Sequence, residues 1–218
     1  MGVKYWKDID LNGVKGILWD LDNTIYVYEH VHKLAYAAVK KQATQFGITE
    51  TDFDIHWKKA RQLVHNQLHG QAASHSRILY LQKLYEGVHG YTNPEFALEM
   101  EEVYWSNFLN YIEIRNGAIE LIKKADLLGI QMAIVTDLTA QIQLKKMKHL
   151  NLNPYVKYLV SSEEAGAEKP EPAIFQLALD KLNLSPSEVI MIGDSYEKDI
   201  LGANTMGIKS YLIDDDTK

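Results

Sequence analysis

The 218-residue sequence contains no cysteine and no long hydrophobic run. The absence of cysteine excludes disulfide bonds, zinc–thiolate sites, iron–sulfur clusters and cysteine nucleophiles. No stretch approaches the roughly 18 consecutive apolar residues of a membrane-spanning helix. The first eight residues also lack the apolar core of a signal peptide. We therefore expect a cytoplasmic protein that does not associate with a membrane.

Basic residues are fewer than acidic ones: 23 Lys and Arg stand against 29 Asp and Glu, for a net charge of −6. This balance disfavours general electrostatic binding to nucleic acid or to an anionic membrane. It leaves phosphorylated substrates open, because they respond to local charge. Hydrophobic residues make up 46% of the chain, which is typical of a folded enzyme or binding protein. We expect a monomer or homodimer without nucleic-acid partners.

Three patterns follow one another along the chain. Gly16–Trp19 predicts a short buried strand. Residues 29–110 then lack β-branched runs and show helical spacing four times, which predicts a small helical bundle. After Arg115, short apolar runs alternate with helical segments, which predicts a parallel sheet covered by helices. The predicted strands there are 131–136, 158–160, 189–192 and 209–213, and the predicted helices are 118–128, 141–150, 172–182 and 199–206.

The whole helical block separates the first predicted strand from its partners in the sheet. The simplest interpretation is an α/β core domain, residues 1–27 and 112–218, interrupted by an α-helical domain of residues 28–111. Inside the insert, Thr51 is a candidate N-cap of the second helix, and Asn93-Pro94 precedes the fourth.

Acidic residues follow three of the predicted strands. Asp20 and Asp22 follow the first, Asp137 the second, and Asp194 another, with Asp199 shortly after it. Any one of them alone is typical of a turn or a helix cap. Ligands of open α/β sheets, however, bind at the carboxyl ends of the strands. Carboxylates concentrated there require a cation, and hard oxygen ligands indicate magnesium.

Four segments in order resemble the motifs of the haloacid dehalogenase-like hydrolase superfamily. They are WDLDNT at 19–24, VTD at 135–137, EKP at 168–170 and GDSYEKD at 193–199. Each motif alone is weak to moderate, but their order at strand ends is specific. The resemblance covers essentially the whole chain, since many members carry a cap domain where the helical block lies. It implies a Rossmann-like three-layer core with an inserted helical cap.

The resemblance also implies roles for the matching residues. Asp20 is similar to the nucleophile that becomes an aspartyl-phosphate, and Asp22 to the general acid and base. Thr136 and Lys169 match residues that contact the phosphoryl group. Taken alone, Thr136 is typical of a helix cap or strand end, and Lys169 of a solvated lysine.

Mg²⁺ is the implied cofactor, because it offsets repulsion between a carboxylate nucleophile and an anionic phosphate. Its implied ligands are the carboxylates of Asp20 and Asp194 and the backbone carbonyl of Asp22, with Asp199 acting directly or through water. Asp137 stands where relatives often have asparagine, so it could cap the next helix or hydrogen-bond near the nucleophile loop. In the cap, Arg77 is a candidate for binding a substrate anion, with a solvated arginine at a helix start as the alternative.

The superfamily contains several kinds of enzyme. Dehalogenases of this type need neither magnesium nor the second aspartate, so the presence of Asp22 and Asp194 favours phosphoryl chemistry. We expect a magnesium-dependent phosphatase acting on a small phosphate ester. A sugar phosphomutase and a 2-haloacid dehalogenase are the alternatives within the superfamily. A non-catalytic binding module on the same fold is the alternative outside it.

Overall fold

The structure is a computed structural model that describes residues 2–3 and 6–213, in which the chain forms two compact units. One unit contains the described residues up to Val27 together with those from Glu113 onward, and the other is Tyr28–Ile112. Residues 1, 4, 5 and 214–218, which the predicted core domain includes, lie outside the described residues. Across the described ranges, no helix combines the length and apolar character that crossing a membrane requires.

The first unit is built on a six-stranded sheet in which every strand pair is parallel. The strand order is β1-β6-β5-β2-β3-β4, so β2 pairs with β5 on one side and β3 on the other. The predicted parallel α/β fold is confirmed, while the two-residue β1 is too short to leave a periodic signal. The strands are β1 (Gly2–Val3), β2 (Gly16–Trp19), β3 (Gln131–Thr136), β4 (Tyr158–Ser161), β5 (Val189–Gly193) and β6 (Lys209–Ile213).

The register of the three central strands brings their carboxyl ends to one level. Trp19, the last residue of β2, lies opposite Ile134 of β3 and Ile192 of β5. The backbone N–H of Asp20 continues the ladder and donates to the carbonyl of Ile192 at 2.9 Å. Polar residues that follow these strands therefore leave the sheet side by side.

Helices cover the sheet, and α8 (Pro172–Leu182) illustrates why they pack where they do. Its buried face, with Ile174, Phe175 and Ala178, belongs to the same apolar cluster as Leu18 and Met191 of the central strands. Such burial contributes about 25 cal/mol per Å² of apolar surface removed from water. The helices of this unit are α5 (Asn116–Leu127), α6 (Ala140–His149), α7 (Ser162–Ala165), α8 (Pro172–Leu182) and α9 (Gly202–Thr205).

The helix predicted at 199–206 differs in the structure. A π-helical turn, Tyr196–Leu201, comes first and α9 follows it. The Ser195 carbonyl accepts from the N–H groups of both Asp199 and Ile200, at 2.9 and 3.3 Å. The Ser195 side chain also accepts from the Lys198 N–H at 3.3 Å. Turns of this width are frequent at functional sites, and this one carries Asp199.

The second unit is a bundle of four helices, as predicted. In it α2 packs on α3 and α1 on α4. Its interior is strongly aromatic, and neighbouring rings meet edge-on or offset, as Trp57 does with Tyr80. The helices are α1 (Tyr28–Gln42), α2 (Glu50–Gln67), α3 (Arg77–His89) and α4 (Pro94–Tyr111). Its buried aromatic residues include Phe53, Trp57, Tyr80, Tyr104 and Phe108.

The caps of two bundle helices show where local sequence signals succeed and fail. Asn93 caps α4 by accepting from the Phe96 N–H at 3.1 Å, with Pro94 in the first turn as predicted. The prediction that Thr51 caps α2 is wrong, because that helix begins at Glu50. Thr49 is the cap: its hydroxyl accepts from the Asp52 N–H at 3.1 Å and donates to the Asp52 carboxylate at 2.7 Å.

Replacing the true cap should destabilise the protein more than replacing the misassigned one. We expect Thr49→Ala to lower the free energy of unfolding by about 1 kcal/mol, because the Asp52 N–H loses its partner. Thr51→Ala, an exposed change inside the helix, should alter it by less than about 0.5 kcal/mol. Urea unfolding followed by circular dichroism measures both. Equal losses in the two variants would contradict the cap assignment.

Candidate active site

Three acidic side chains meet at the carboxyl ends of β2 and β5. Asp20 follows β2, Asp194 follows β5, and Asp199 lies on the π-helical turn. Each offers a carboxylate oxygen, and these atoms all lie within 4.8 Å of one another. The structure thus brings together three of the four predicted metal-binding residues through their carboxylates.

The close approach of Asp199 explains the glycine at the end of β5. A Cβ atom built on Gly193 would lie 2.3 Å from the Asp199 carboxyl carbon, far inside contact distance. Only a residue without a side chain leaves this space free. Asp199 is then held from the other side, where its Oδ2 accepts from the Ser195 N–H at 3.0 Å.

Lys169 lies between two of these carboxylates and is itself buried. Its Nζ donates to Asp20 Oδ1 at 2.6 Å and to Asp199 Oδ1 at 2.7 Å. A third bond reaches the Val135 carbonyl at 3.0 Å, so one ammonium group joins β3, the residue after β2 and the π-helical turn. Burial alone lowers the pKa of Lys169, but Asp199 and Asp20 together raise it above its ordinary value. Lys169 therefore stays charged although it is buried, whereas its local sequence alone is typical of a solvated lysine.

The acidic cluster carries more negative charge than Lys169 balances. Burial raises the pKa of Asp20 well above its ordinary value, and Asp199 and Asp194 raise it further against the opposing effect of Lys169. Burial, followed by the charge of Asp199, raises the pKa of Asp194 to about 6. A divalent cation would relieve this repulsion, and carboxylate oxygens are the ligands that magnesium prefers. The residues present fit such an ion.

Thr24 is a contact of the nucleophile candidate to which sequence reasoning assigned no role. Its hydroxyl donates to Asp20 Oδ2 at 2.7 Å and lies 3.4 Å from Asp194 Oδ1. With Lys169 on Oδ1, both oxygens of Asp20 are therefore held. Thr24 lies within the first motif, and that position is the sequence signal that could have identified it.

Asp22 turns away from Asp20 toward a separate set of partners. Asn23, with a φ of 66°, takes part in the turn that follows β2. The Asp22 carboxylate accepts from Lys146 Nζ at 2.6 Å, from Gln143 Nε2 at 2.9 Å and from the hydroxyl of Tyr26. The two aspartates of the first motif therefore each pair with a different lysine.

Lys146 and Gln143 are two further residues to which the sequence analysis assigned no role. Both are fully buried on α6, where they share a face with two apolar residues, Ile142 and Met147. Two polar side chains on the buried face of an amphipathic helix were the signal that could have revealed them.

Thr136 and Asp137 sit at the end of β3 beside these groups. Thr136 Oγ1 accepts from Gln143 Nε2 at 2.7 Å. Among the residues that the structure describes, Asp137 neither caps the next helix nor bonds to the nucleophile loop: its carboxylate accepts from the Lys169 N–H at 3.0 Å and from Lys198 Nζ at 2.7 Å. Asp137 thus supports the segment that carries Lys169.

Arg77 belongs to the helical unit, as the first residue of α3. It is only 8% exposed, so it is not a solvated arginine at a helix start. Its guanidinium donates to the His75 carbonyl at 2.5 Å and to the hydroxyl of Tyr28.

Sequence comparison places these residues within a known family. Residues 14–207 match the family described as haloacid dehalogenase-like hydrolase. A ribulose-1,5-bisphosphate 5-phosphatase from Halopiger xanaduensis is 36% identical, over 91% of this chain and 84% of its own. A glyceraldehyde 3-phosphate phosphatase from Pyrococcus abyssi is 26% identical, over 90% and 80%.

Solved structures show the same fold. The magnesium-bound HAD-hydrolase YfnB from Bacillus subtilis has a TM-score of 0.69 at 21% identity, covering 94% of this chain and 91% of its own. A 2-haloacid dehalogenase from Pseudomonas syringae has a TM-score of 0.72, with the same identity and coverage. Because the family match spans residues 14–207 and the Halopiger relative aligns along 91% of the chain, the protein belongs to the haloacid dehalogenase-like hydrolases.

Proposed function

We propose that this protein is a magnesium-dependent phosphatase that hydrolyses a small phosphorylated metabolite, with Asp20 as the nucleophile. The observation that carries the proposal is the Asp20 carboxylate, held by Lys169 and Thr24 beside Asp194 and Asp199. The relatives named as phosphatases of ribulose-1,5-bisphosphate and glyceraldehyde 3-phosphate support the substrate class.

The acidic cluster would hold the metal ion. We assign the carboxylates of Asp20, Asp194 and Asp199 and the backbone carbonyl of Asp22 as its ligands. When ionised, the three aspartates of the cluster outnumber Lys169 by two negative charges, which a divalent ion neutralises. Bound Mg²⁺ supplies positive charge that offsets the repulsion between a carboxylate and an anionic phosphate.

The first chemical step belongs to Asp20. One of its carboxylate oxygens attacks phosphorus, and the bond between phosphorus and the ester oxygen breaks. Asp22 gives its proton to the departing oxygen, so the products are an alcohol and an aspartyl-phosphate. The Thr136 hydroxyl would donate to a phosphoryl oxygen, and the Lys169 ammonium would supply positive charge beside that group, where positioning and charge contribute most of the catalysis.

The second step returns the enzyme to its starting form. Asp22, now a carboxylate, takes a proton from water as the water oxygen attacks phosphorus of the aspartyl-phosphate. The Asp20–phosphorus bond breaks, and inorganic phosphate leaves. Asp22 therefore alternates between acid and base, which requires a carboxylate held in place by its own partners.

Loss of the nucleophile should abolish turnover. We expect Asp20→Asn to lower kcat for p-nitrophenyl phosphate by about 10³-fold or more, because an amide oxygen does not replace the carboxylate. Asp126→Asn, an exposed change on α5, is the matched control and should leave kcat unchanged. Activity surviving in Asp20→Asn would refute the nucleophile assignment.

Metal removal should have a comparable effect on the wild-type protein. Dialysis against EDTA should eliminate p-nitrophenyl phosphate hydrolysis, and added Mg²⁺ should restore it, because the buried carboxylates repel the substrate without a cation. Full activity in EDTA would contradict the metal assignment. Halide release from a 2-haloacid without any phosphatase activity would instead favour a dehalogenase, and interconversion of sugar phosphates a mutase.

We also assign Lys146 and Gln143 as positioning residues for Asp22. Lys146→Met should reduce kcat/KM more for glycerol 2-phosphate than for p-nitrophenyl phosphate, by about tenfold or more. The reason is that an alkoxide needs a proton from Asp22 to leave, whereas p-nitrophenolate does not. Lys145→Met, an exposed neighbour on the same helix, is the control.

Stopped assays on both esters at several pH values measure this difference. A role in folding alone would reduce both kcat/KM values equally, and that result would contradict the assignment. Gln143→Leu should give the same selective loss, which separates positioning of Asp22 from removal of a buried charge.

A further inference from the structure

Leu138, the second residue after β3, has a strained backbone with a φ of 97°. A Cβ atom clashes with the backbone in this region, which glycine enters freely. The other described non-glycine residues with positive φ are all asparagines, which tolerate it more readily. Leu138 is also buried, so the strain lies inside the α/β unit. Such strain persists only where surrounding contacts enforce it, and it is concentrated at active sites.

The contact that enforces this conformation comes from Ser162, the first residue of α7. Its Oγ accepts from the Leu138 N–H at 2.9 Å and donates to the Leu138 carbonyl at 3.4 Å. One hydroxyl therefore bonds to both backbone polar groups of the strained residue. Because Ser162 is only 1% exposed, removing this hydroxyl would take a partner from two backbone groups in the interior.

The Ser162 hydroxyl is not needed to cap its own helix. The preceding residue, Ser161, caps α7, since its hydroxyl accepts from the Glu164 N–H at 3.2 Å. Ser161 also pairs with Thr136 in the ladder between β4 and β3, which places the start of α7 beside the end of β3. The two serines thus have different tasks, one within α7 and one across the strand ends.

The next residue, Glu163, holds the other end of the loop between β3 and α6. Its Oε2 accepts from the N–H of Ala140, the first residue of α6, at 2.8 Å. Thr139, which precedes this helix, makes no capping bond through its side chain within the described part of the chain. The start of α6 is therefore capped from a neighbouring segment. This helix carries the lysine and the glutamine that bind Asp22.

The peptide group between Asp137 and Leu138 is held from both sides. Its N–H donates to Ser162, and its carbonyl accepts from Gln143 Nε2 at 2.7 Å. The Thr136 hydroxyl donates to the same carbonyl at 3.3 Å. Because α6 is anchored, a return of Leu138 to negative φ would rotate this peptide and break its contact with Thr136, the proposed donor to the phosphoryl group.

We propose that Ser162 is a positioning residue of the active site, which keeps Leu138 at positive φ and thereby fixes the Asp137–Leu138 peptide beside Thr136. All of these groups lie in the α/β unit. The inference rests on the proposed phosphatase function, in which Thr136 donates to the phosphoryl group. Since every phosphate ester contains that group, the contribution of Ser162 does not depend on the leaving group.

Loss of the Ser162 hydroxyl should therefore affect unlike esters equally. We expect Ser162→Ala to lower kcat/KM by about tenfold for both p-nitrophenyl phosphate and glycerol 2-phosphate, in contrast to the selective loss expected for Lys146→Met. Ser187→Ala, an exposed change in the same unit, is the control and should keep the wild-type values. An unchanged kcat/KM in Ser162→Ala would overturn the proposal.

Substitutions at Leu138 test whether Ser162 acts through the backbone conformation. In Leu138→Gly, the residue adopts positive φ without strain, so adding Ser162→Ala should change kcat/KM by less than about twofold. Leu138→Ala loses nearly the same buried side chain but keeps a Cβ atom, and there Ser162→Ala should still cost about tenfold. Equal losses in the two backgrounds would show that Ser162 does not act through Leu138 and would overturn the proposal.

Binding of orthovanadate, a tetrahedral oxyanion like phosphate, separates this proposal from the phosphatase function. In calorimetric titrations with Mg²⁺ present, Ser162→Ala should raise the Kd about tenfold over that of the wild type. The Kd of folded molecules does not depend on how many fold, so a purely structural role would leave it unchanged and refute the positioning role. If the wild type hydrolysed no ester, the phosphatase function would fail, whereas a tenfold shift in Kd would still support Ser162.

Discussion

The ammonium group of Lys169 is the contact on which the arrangement of the active site depends. It joins Asp20, which follows β2, to Asp199 on the π-helical turn and to the Val135 carbonyl of β3. Without it, two buried carboxylates would face each other with no intervening cation, a costly arrangement in a low dielectric. Asp137, which directly follows β3, accepts a hydrogen bond from the Lys169 N–H through its carboxylate. This contact holds the segment that carries the lysine.

A second buried lysine keeps the two aspartates of the first motif apart. Lys146, with Gln143, binds the Asp22 carboxylate, while Lys169 and Thr24 bind that of Asp20. Asp20 and Asp22 are thus paired with separate cations although only one residue lies between them in sequence. In our proposal this division suits their roles, because one carboxylate attacks phosphorus while the other exchanges protons.

Buried positive charge has different neighbours in the helical unit. Its core is aromatic and its buried cation has only neutral neighbours, whereas the α/β unit pairs each buried lysine with carboxylates. In the α/β unit, buried lysines and carboxylates pair within the chain. The excess negative charge at Asp20, Asp194 and Asp199 is the part that fits a divalent ion. The helical unit surrounds the Arg77 guanidinium with aromatic rings and neutral oxygens.

Local signals in the sequence were sufficient for the fold. Alternating apolar runs and helical spacing predicted the parallel sheet and the bundle, because hydrophobic periodicity depends only on neighbours along the chain. They failed where an element was too short, as in β1, and at the starts of two helices, where the structure has a π-helical turn and a cap at Thr49.

Part of the candidate active site could likewise be predicted from the sequence, and part could not. Asp20, Asp194 and Asp199 could be anticipated together because parallel strands end at one edge of a sheet. The partners of Asp22 could not be, since Lys146 is 124 residues away and its pairing depends on how α6 packs. The burial of Arg77 was equally invisible in its local sequence. The sequence by itself therefore determined which strand ends carry the acidic residues, and only the tertiary structure decided how each buried charge is balanced, because ion pairing depends on distances that packing sets.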